Sequence, residues 1–217
     1  MTGYADATPQ GGKLLRPGRA ALLVIDMQQD FVSPDGAMAS FGFDVSDVEA
    51  MIPALTRLVV AARTAGAEVI HTRMVNDVRL NAPSWTAFWG APAVTVPGSW
   101  GAEFVAPLRP AGGELVVDKY GYGAFHGTNL ELILRAAGID TVVVAGTGPN
   151  ICGGETLHQA FARGFRVIAV VDCLASFSQR GKAFNRRLKE TALYIIAHHY
   201  GQVVDSGELI ADWEGQG

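Results

Sequence analysis

A cysteine placed where a strand turns into a helix is a candidate nucleophile, and Cys152 occupies such a place. It lies in the run Gly146-Thr147-Gly148-Pro149-Asn150-Ile151-Cys152-Gly153-Gly154-Glu155-Thr156. The apolar stretch 141–145 predicts a buried strand before it, and 155–163 predicts a helix after it. The first free N–H groups of that helix, and its dipole, are expected to favour a thiolate and lower the thiol pKa. Two other chemistry-bearing residues close predicted strands: Asp26 after Ala20–Ile25, and Lys119 after 115–118. In a parallel α/β sheet the carboxyl ends of the strands share one edge. An acid, a cation and a thiol therefore fall within reach of one another. Taken singly, Asp26 reads as a turn cap, Lys119 as a solvated strand end and Cys152 as an inert buried thiol. Their coincidence on one edge favours chemistry.

The elements that must hold these residues follow from hydrophobic pattern. Ala20–Ile25 is continuously apolar, as a strand buried on both faces of a parallel sheet would be. Over 46–65 the residues Val48, Met51, Ile52, Leu55, Leu58, Val59 and Ala62 recur at helical spacing. Ser46 and Glu49 read as a capping box for this helix, and Gly66 as its stop. A second strand is expected at 68–72. A helix capped by Thr128, with Glu131 at its third position, is expected at 128–137. Strand 166–171, helix 183–199 and strand Gln202–Val204 complete the alternation. The pattern predicts an open, mostly parallel six-stranded α/β sheet with helices on both faces. Residues 1–18 read as an N-terminal arm and 19–217 as a single domain. Residues 74–112 have no clear period but carry five prolines together with Trp85, Phe88, Trp89 and Trp100. Such an insertion reads as a substrate lid, an oligomer contact or a covering loop with its own small core.

Composition narrows the class. The chain has 217 residues, 49% of them hydrophobic and 18% charged, which is globular composition. A net charge of −4 without a basic block argues against nucleic acid as a partner. Only two cysteines are present, Cys152 and Cys173, too few for a disulfide framework, so a reduced cytoplasmic setting is expected. No signal-peptide pattern and no membrane-length apolar run stand in the sequence, so no membrane partner is expected.

Four segments resemble the isochorismatase-like cysteine hydrolases, over roughly residues 19–205. They are Leu22-Leu23-Val24-Ile25-Asp26-Met27-Gln28-Gln29-Asp30-Phe31; Asp118-Lys119 with Gly121-Tyr122-Gly123-Ala124-Phe125 and Thr128; the turn around Cys152; and Gly164-Phe165-Arg166-Val167 leading to Val171-Asp172. Residues 122–125 and 129–135 look most like the ureide-cleaving branch, near N-carbamoylsarcosine amidohydrolase, biuret hydrolase and ureidoacrylate amidohydrolase. The resemblance implies a triad of Asp26, Lys119 and Cys152 acting on the C–N bond of a small amide or ureide. It also implies an oxyanion hole from the backbone N–H groups of Gly148 and Cys152, with Thr147–Gly148 as a cis peptide, and a homodimer or homotetramer. Pro149 stands where the family has Thr, which makes Gly148–Pro149 a competing cis bond. Gly153 and Gly154 replace bulkier residues and are expected to leave room beside the nucleophile. Phe31, Tyr122, Phe125, Asn150, Trp85 and Trp89 are the candidate substrate contacts.

Rival chemistries fit less well. Gly146-Thr147-Gly148 suggests a dinucleotide site, but Ile151 stands where the third glycine belongs. Glu155 stands where a phosphate loop needs Lys. A zinc-dependent nicotinamidase would need an Asp-x-His cluster after the second strand, where residues 73–79 hold no His. His71 alone reads as a pocket wall or a satisfied core residue, so no metal and no cofactor are expected. Vinyl-ether hydrolysis on the same fold does not need the cysteine, and a binding protein without activity would not need all three residues.

Overall fold

The computed structural model describes Leu15 and residues 18–215. Most of the expected N-terminal arm, 1–18, therefore lies outside the described residues. Six strands form one sheet: β1 Ala20–Ile25, β2 Glu68–Met74, β3 Leu115–Lys119, β4 Thr141–Thr147, β5 Arg166–Ala175 and β6 Gln202–Val204. Every pairing is parallel, in the order β3-β2-β1-β4-β5-β6. The sheet is thus wholly parallel. β1 and β4 lie side by side at its centre and every residue of both is buried.

The helices are α1 Gln29–Val32, α2 Ala37–Ser40, α3 Ser46–Thr64, α4 Pro83–Trp89, α5 Leu130–Ala136, α6 Cys152–Ala162, α7 Lys182–His199 and α8 Ser206–Glu214. The crossover β1–α3–β2 steps one way along the sheet and β4–α6–β5 steps the other way. Right-handed crossovers therefore put α3 and α6 on opposite faces. α3 packs on β5 and on α8, whereas α6 packs on β4, β5 and α7. The point where the two directions diverge, between β1 and β4, is where an open α/β sheet forms its crevice.

Local details correct several expectations. The cap of α3 is not a Ser46–Glu49 box. Asp44 Oδ1 accepts from Ser46 N at 3.1 Å and from Ser46 Oγ at 2.5 Å, so the capping carboxylate comes from two residues earlier. Helix α5 begins at Leu130, whose N–H donates to Thr128 Oγ1 at 3.2 Å. Glu131 turns outward to Arg163 and Arg135 and does not reach back to the helix start. α6 begins at Cys152 itself, three residues before the expected start. β4 and β5 run past their expected ends because they pair as far as Thr147↔Ala175, across a register shift between Val144 and Gly146.

Candidate active site

Asp26 follows β1 in the left-handed backbone region, at φ 48. That conformation is uncommon for a residue with a side chain, although aspartate tolerates it better than most. It is held from both ends. The Asp26 N–H donates to Thr72 Oγ1 at 3.2 Å, and the same hydroxyl donates to Asp26 Oδ1 at 2.7 Å. The Asp26 carbonyl accepts from the N–H of Gln28 at 2.8 Å. Lys119 ends β3, and its Nζ lies 2.7 Å from Asp26 Oδ2 while donating to the Gly121 carbonyl at 3.1 Å. Both side chains are 0% exposed. A fully buried ion pair costs desolvation on both partners, and losing one partner leaves an uncompensated charge.

Cys152 is the third member of this cluster. Its thiol is coupled electrostatically to both Asp26 and Lys119. Burial pushes the thiol up to about 12, Lys119 opposing the shift and the Asp26 charge adding to it. Lys119 itself is held above its usual range by Asp26 and Cys152, against the effect of burial. The expected lowering of the thiol pKa is thus reversed. The N–H groups of Ile151, Gly153 and Gly154, at 3.1, 3.0 and 3.3 Å, converge on the Gly148 carbonyl instead of the sulfur. Little of the helix terminus is left to oppose desolvation of the thiolate.

The turn itself departs from expectation in two further ways. All described peptide bonds are trans, including Thr147–Gly148 and Gly148–Pro149. Trans is the lower-energy form, and here it aims the Gly148 carbonyl at those three donors. The glycines after Cys152 do not leave open room. A Cβ on Gly154 would stand 2.1 Å from the Pro149 carbonyl oxygen, and one on Gly153 would stand 3.2 Å from that of Gly148. They let the turn fold down onto the helix. Gly146 has φ 115, and a Cβ there would lie 2.3 Å from the Ile25 carbonyl oxygen, so β1 and β4 meet only across a glycine.

Above the sulfur opens a cleft of about 200 Å³. Phe31, Trp85, Trp89, Tyr122 and Asn150 line it. Phe125 does not. It is buried against Phe165, at 5.8 Å between centroids, with the Arg163 guanidinium 5.2 Å from its ring. The tight chain path after Gly123, where a Cβ would meet the Gln159 side chain, and the Phe125 N–H bond to Gln159 Oε1 turn that residue inward. Met38, Phe43, Met74, Asn76, Asn81, Thr147 and Phe177 also line the cleft and were not singled out by sequence. Phe177 follows the end of β5, so the strand-end rule would have found it had that end been placed at Ala175. Thr72, which holds Asp26, carries no sequence signal of its own.

The wall opposite the turn is the insertion. Trp85 packs 4.7 Å from Tyr122 between ring centroids, and Trp89 Nε1 donates to Tyr122 Oη at 3.0 Å. Gln28 anchors the segment from beneath. It accepts from Met74 N at 2.8 Å and donates to the Met74 and Ala102 carbonyls at 3.0 and 3.1 Å. His71 faces the core, not the cleft. It is 0% exposed, with Nε2 at 3.1 Å from Glu114 Oε2, and burial lowers its pKa. Among the described residues no His, Cys, Asp or Glu group is gathered as a metal site would require.

The chain is matched by the isochorismatase domain over residues 20–206. It is 31% identical, over 78% of its length and 76% of the relative's, to a protein named ureidoacrylate amidohydrolase RutB from Methylobacterium radiotolerans. A crystal structure described as a cysteine hydrolase from Pseudomonas syringae pv. phaseolicola superposes with TM-score 0.83 and 27% identity, covering 93% of this chain and 95% of that one. N-carbamoylsarcosine amidase from Thermoplasma acidophilum superposes with TM-score 0.69 and 27% identity, covering 87% and 96%. The chain belongs to the isochorismatase family of hydrolases.

Proposed function

We propose that this protein is a cysteine-dependent amidohydrolase that cleaves a C–N bond of a small amide or ureide through a thioester on Cys152. One observation carries the reading. A buried thiol at the floor of a cleft is coupled electrostatically to a carboxylate that is paired to a lysine at 2.7 Å. A thiol pushed up to about 12 is a poor nucleophile by itself and needs a base in contact with it.

In this scheme Asp26 takes the Cys152 proton as the sulfur attacks the substrate carbonyl. Lys119 balances the negative charge while it moves from carboxylate to sulfur. The N–H groups of Gly148 and Cys152 receive the oxyanion. Asp26 then gives its proton to the departing nitrogen, releasing ammonia or an amine and leaving an acyl thioester. A water molecule, deprotonated by Asp26, cleaves the thioester and returns the proton to sulfur. Relatives named for ureidoacrylate and N-carbamoylsarcosine support the C–N reading over vinyl-ether hydrolysis, in which the thiol would have no part.

The test is ammonia release from biuret, ureidoacrylate, N-carbamoyl amino acids and nicotinamide by wild type and Cys152→Ser. Turnover of at least one compound, reduced about 1000-fold or more in the variant, is expected, together with an acyl adduct on Cys152 by mass spectrometry. Equal turnover by wild type and variant would sink the scheme.

A further inference from the structure

The cleft contains no charged side chain among the described residues. Its wall includes Phe31, Phe43, Phe177, Trp85, Trp89 and Tyr122 together with Met38 and Met74. Lys119 lies beneath the floor, 0% exposed and engaged by Asp26, so it offers no charge to a bound molecule. Several of the neutral donors on the wall are engaged as well. Asn76 Nδ2 donates to the Val94 carbonyl at 2.8 Å and to Thr95 Oγ1, Asn81 Nδ2 to the Tyr120 carbonyl at 3.0 Å, and Trp89 Nε1 to Tyr122. The N–H groups of Gly148 and Cys152 are assigned above to the oxyanion. A carboxylate entering this cleft would lose its hydration and find no cation among the described residues. An unpaired buried charge is strongly disfavoured. An aryl group would instead gain burial and ring contacts on three sides.

We infer that the substrate carries an uncharged, apolar, aryl-sized group on the amide or ureide, and that carboxylate-bearing substrates are excluded by the cleft wall. Ureidoacrylate and N-carbamoylsarcosine each carry a carboxylate. The inferred substrate therefore differs in charge from those in the names of the relatives. This inference rests on the amidohydrolase reading of the same site.

The test uses a matched pair, 3-phenylpropanamide and succinamate, in which phenyl and carboxylate exchange on the same amide chain, with propanamide as the small neutral reference. Two readouts are needed. One is kcat/KM for ammonia release by wild type. The other is the Kd for Cys152→Ser, followed by tryptophan fluorescence, since Trp85 and Trp89 line the cleft. The phenyl amide is expected to exceed succinamate by about 100-fold or more in both, and to exceed propanamide by about tenfold. Tight binding of the phenyl amide without ammonia release would support the apolar specificity and sink the hydrolysis. Turnover with succinamate equal or preferred would leave hydrolysis standing and overturn the inference, as would failure of both compounds to bind. A second variant, Phe41→Arg, places a cation at a cleft position that is 48% exposed, where folding is not at stake. It is expected to narrow the preference by about tenfold; an unchanged ratio would overturn the claim that a missing cation excludes carboxylates.

Discussion

The edge of the sheet and the segment that overhangs it are built from opposite materials. At the edge, Asp26 and Lys119 are fully buried, polar, and fixed by Thr72, Gly121 and each other. In the overhang, α4 buries none of its residues, Phe88 is 78% exposed and Trp89 is 50% exposed. The first region obtains its precision from strand ends, whose positions the whole parallel ladder determines. The second is tied down by ring contacts and by side-chain hydrogen bonds of Gln28, Asp30, Asn76 and Asn81. The contrast suggests a division of labour. In the proposed scheme the edge would set which bond is broken, and the overhang which molecule is brought to it.

The largest expected effect comes from breaking the edge. Lys119→Met would leave the Asp26 carboxylate buried without its cation. We expect a loss of about 3–5 kcal/mol in urea unfolding and of about 1000-fold or more in turnover. Activity retained above about a tenth of wild type would show that the two residues do not act as a unit.

The next effect reads the thiol directly. Because burial holds Cys152 at about 12, the reactive thiolate is a minor species at neutral pH and grows as pH rises. Alkylation by iodoacetamide should therefore accelerate about tenfold per pH unit from about pH 7 to 10 without levelling. A plateau below about pH 8 would mean a resting thiolate and remove the need for Asp26 as base.

A smaller effect tests the amino end of β3, where the insertion rejoins the sheet. Glu114 is held at about 2, first by Arg63 Nε and Nη2 at 2.7 and 2.8 Å, and also by the Ala111 N–H. Its folded pKa lies below the reference of 4.5, so its stabilisation is present above that value and lost as pH falls towards 2. Wild-type Tm should drop through that window. Glu114→Gln should drop less there and be weaker at neutral pH by about 1–3 kcal/mol. Parallel pH curves for the two proteins would refute the assignment.

The smallest effect belongs to the overhang's own tie. Tyr122→Phe removes the oxygen that accepts from Trp89 but keeps the ring against Trp85. We expect KM to rise about threefold, with kcat and Tm nearly unchanged, as for a partly exposed hydrogen bond worth about 0.5–1 kcal/mol. A fall in kcat instead would tie Tyr122 to the chemistry and blur the division.

Much of the edge was legible in the sequence. Ala20–Ile25 and the strand over 141–145 are continuous apolar runs, and such runs in alternation with helices have few arrangements other than a parallel sheet. That topology alone places Asp26, Lys119 and Cys152 on one side. Less legible were the features that depend on distant partners. Ser46 resembles a cap, but the acceptor is Asp44. Phe125 follows Lys119 as closely as Tyr122 does, yet one ring turns into the core and the other into the cleft. Period and spacing carry no information about which of two neighbouring aromatic rings faces in.

The sequence by itself determined the parallel alternation of strands and helices and the place of Asp26, Lys119 and Cys152 at strand ends, because each is encoded locally by pattern and position. Only the tertiary structure decided the state of the thiol. The helix start predicts a lowered pKa, but the Gly148 carbonyl takes the N–H groups and burial raises it. The cleft's uncharged wall was likewise decided in three dimensions. It is assembled from segments near residues 31, 41, 74, 85, 122, 150 and 177, which the chain brings together only on folding. Charge and burial at a point in space depend on every element that packs there, and no single stretch of sequence contains that sum.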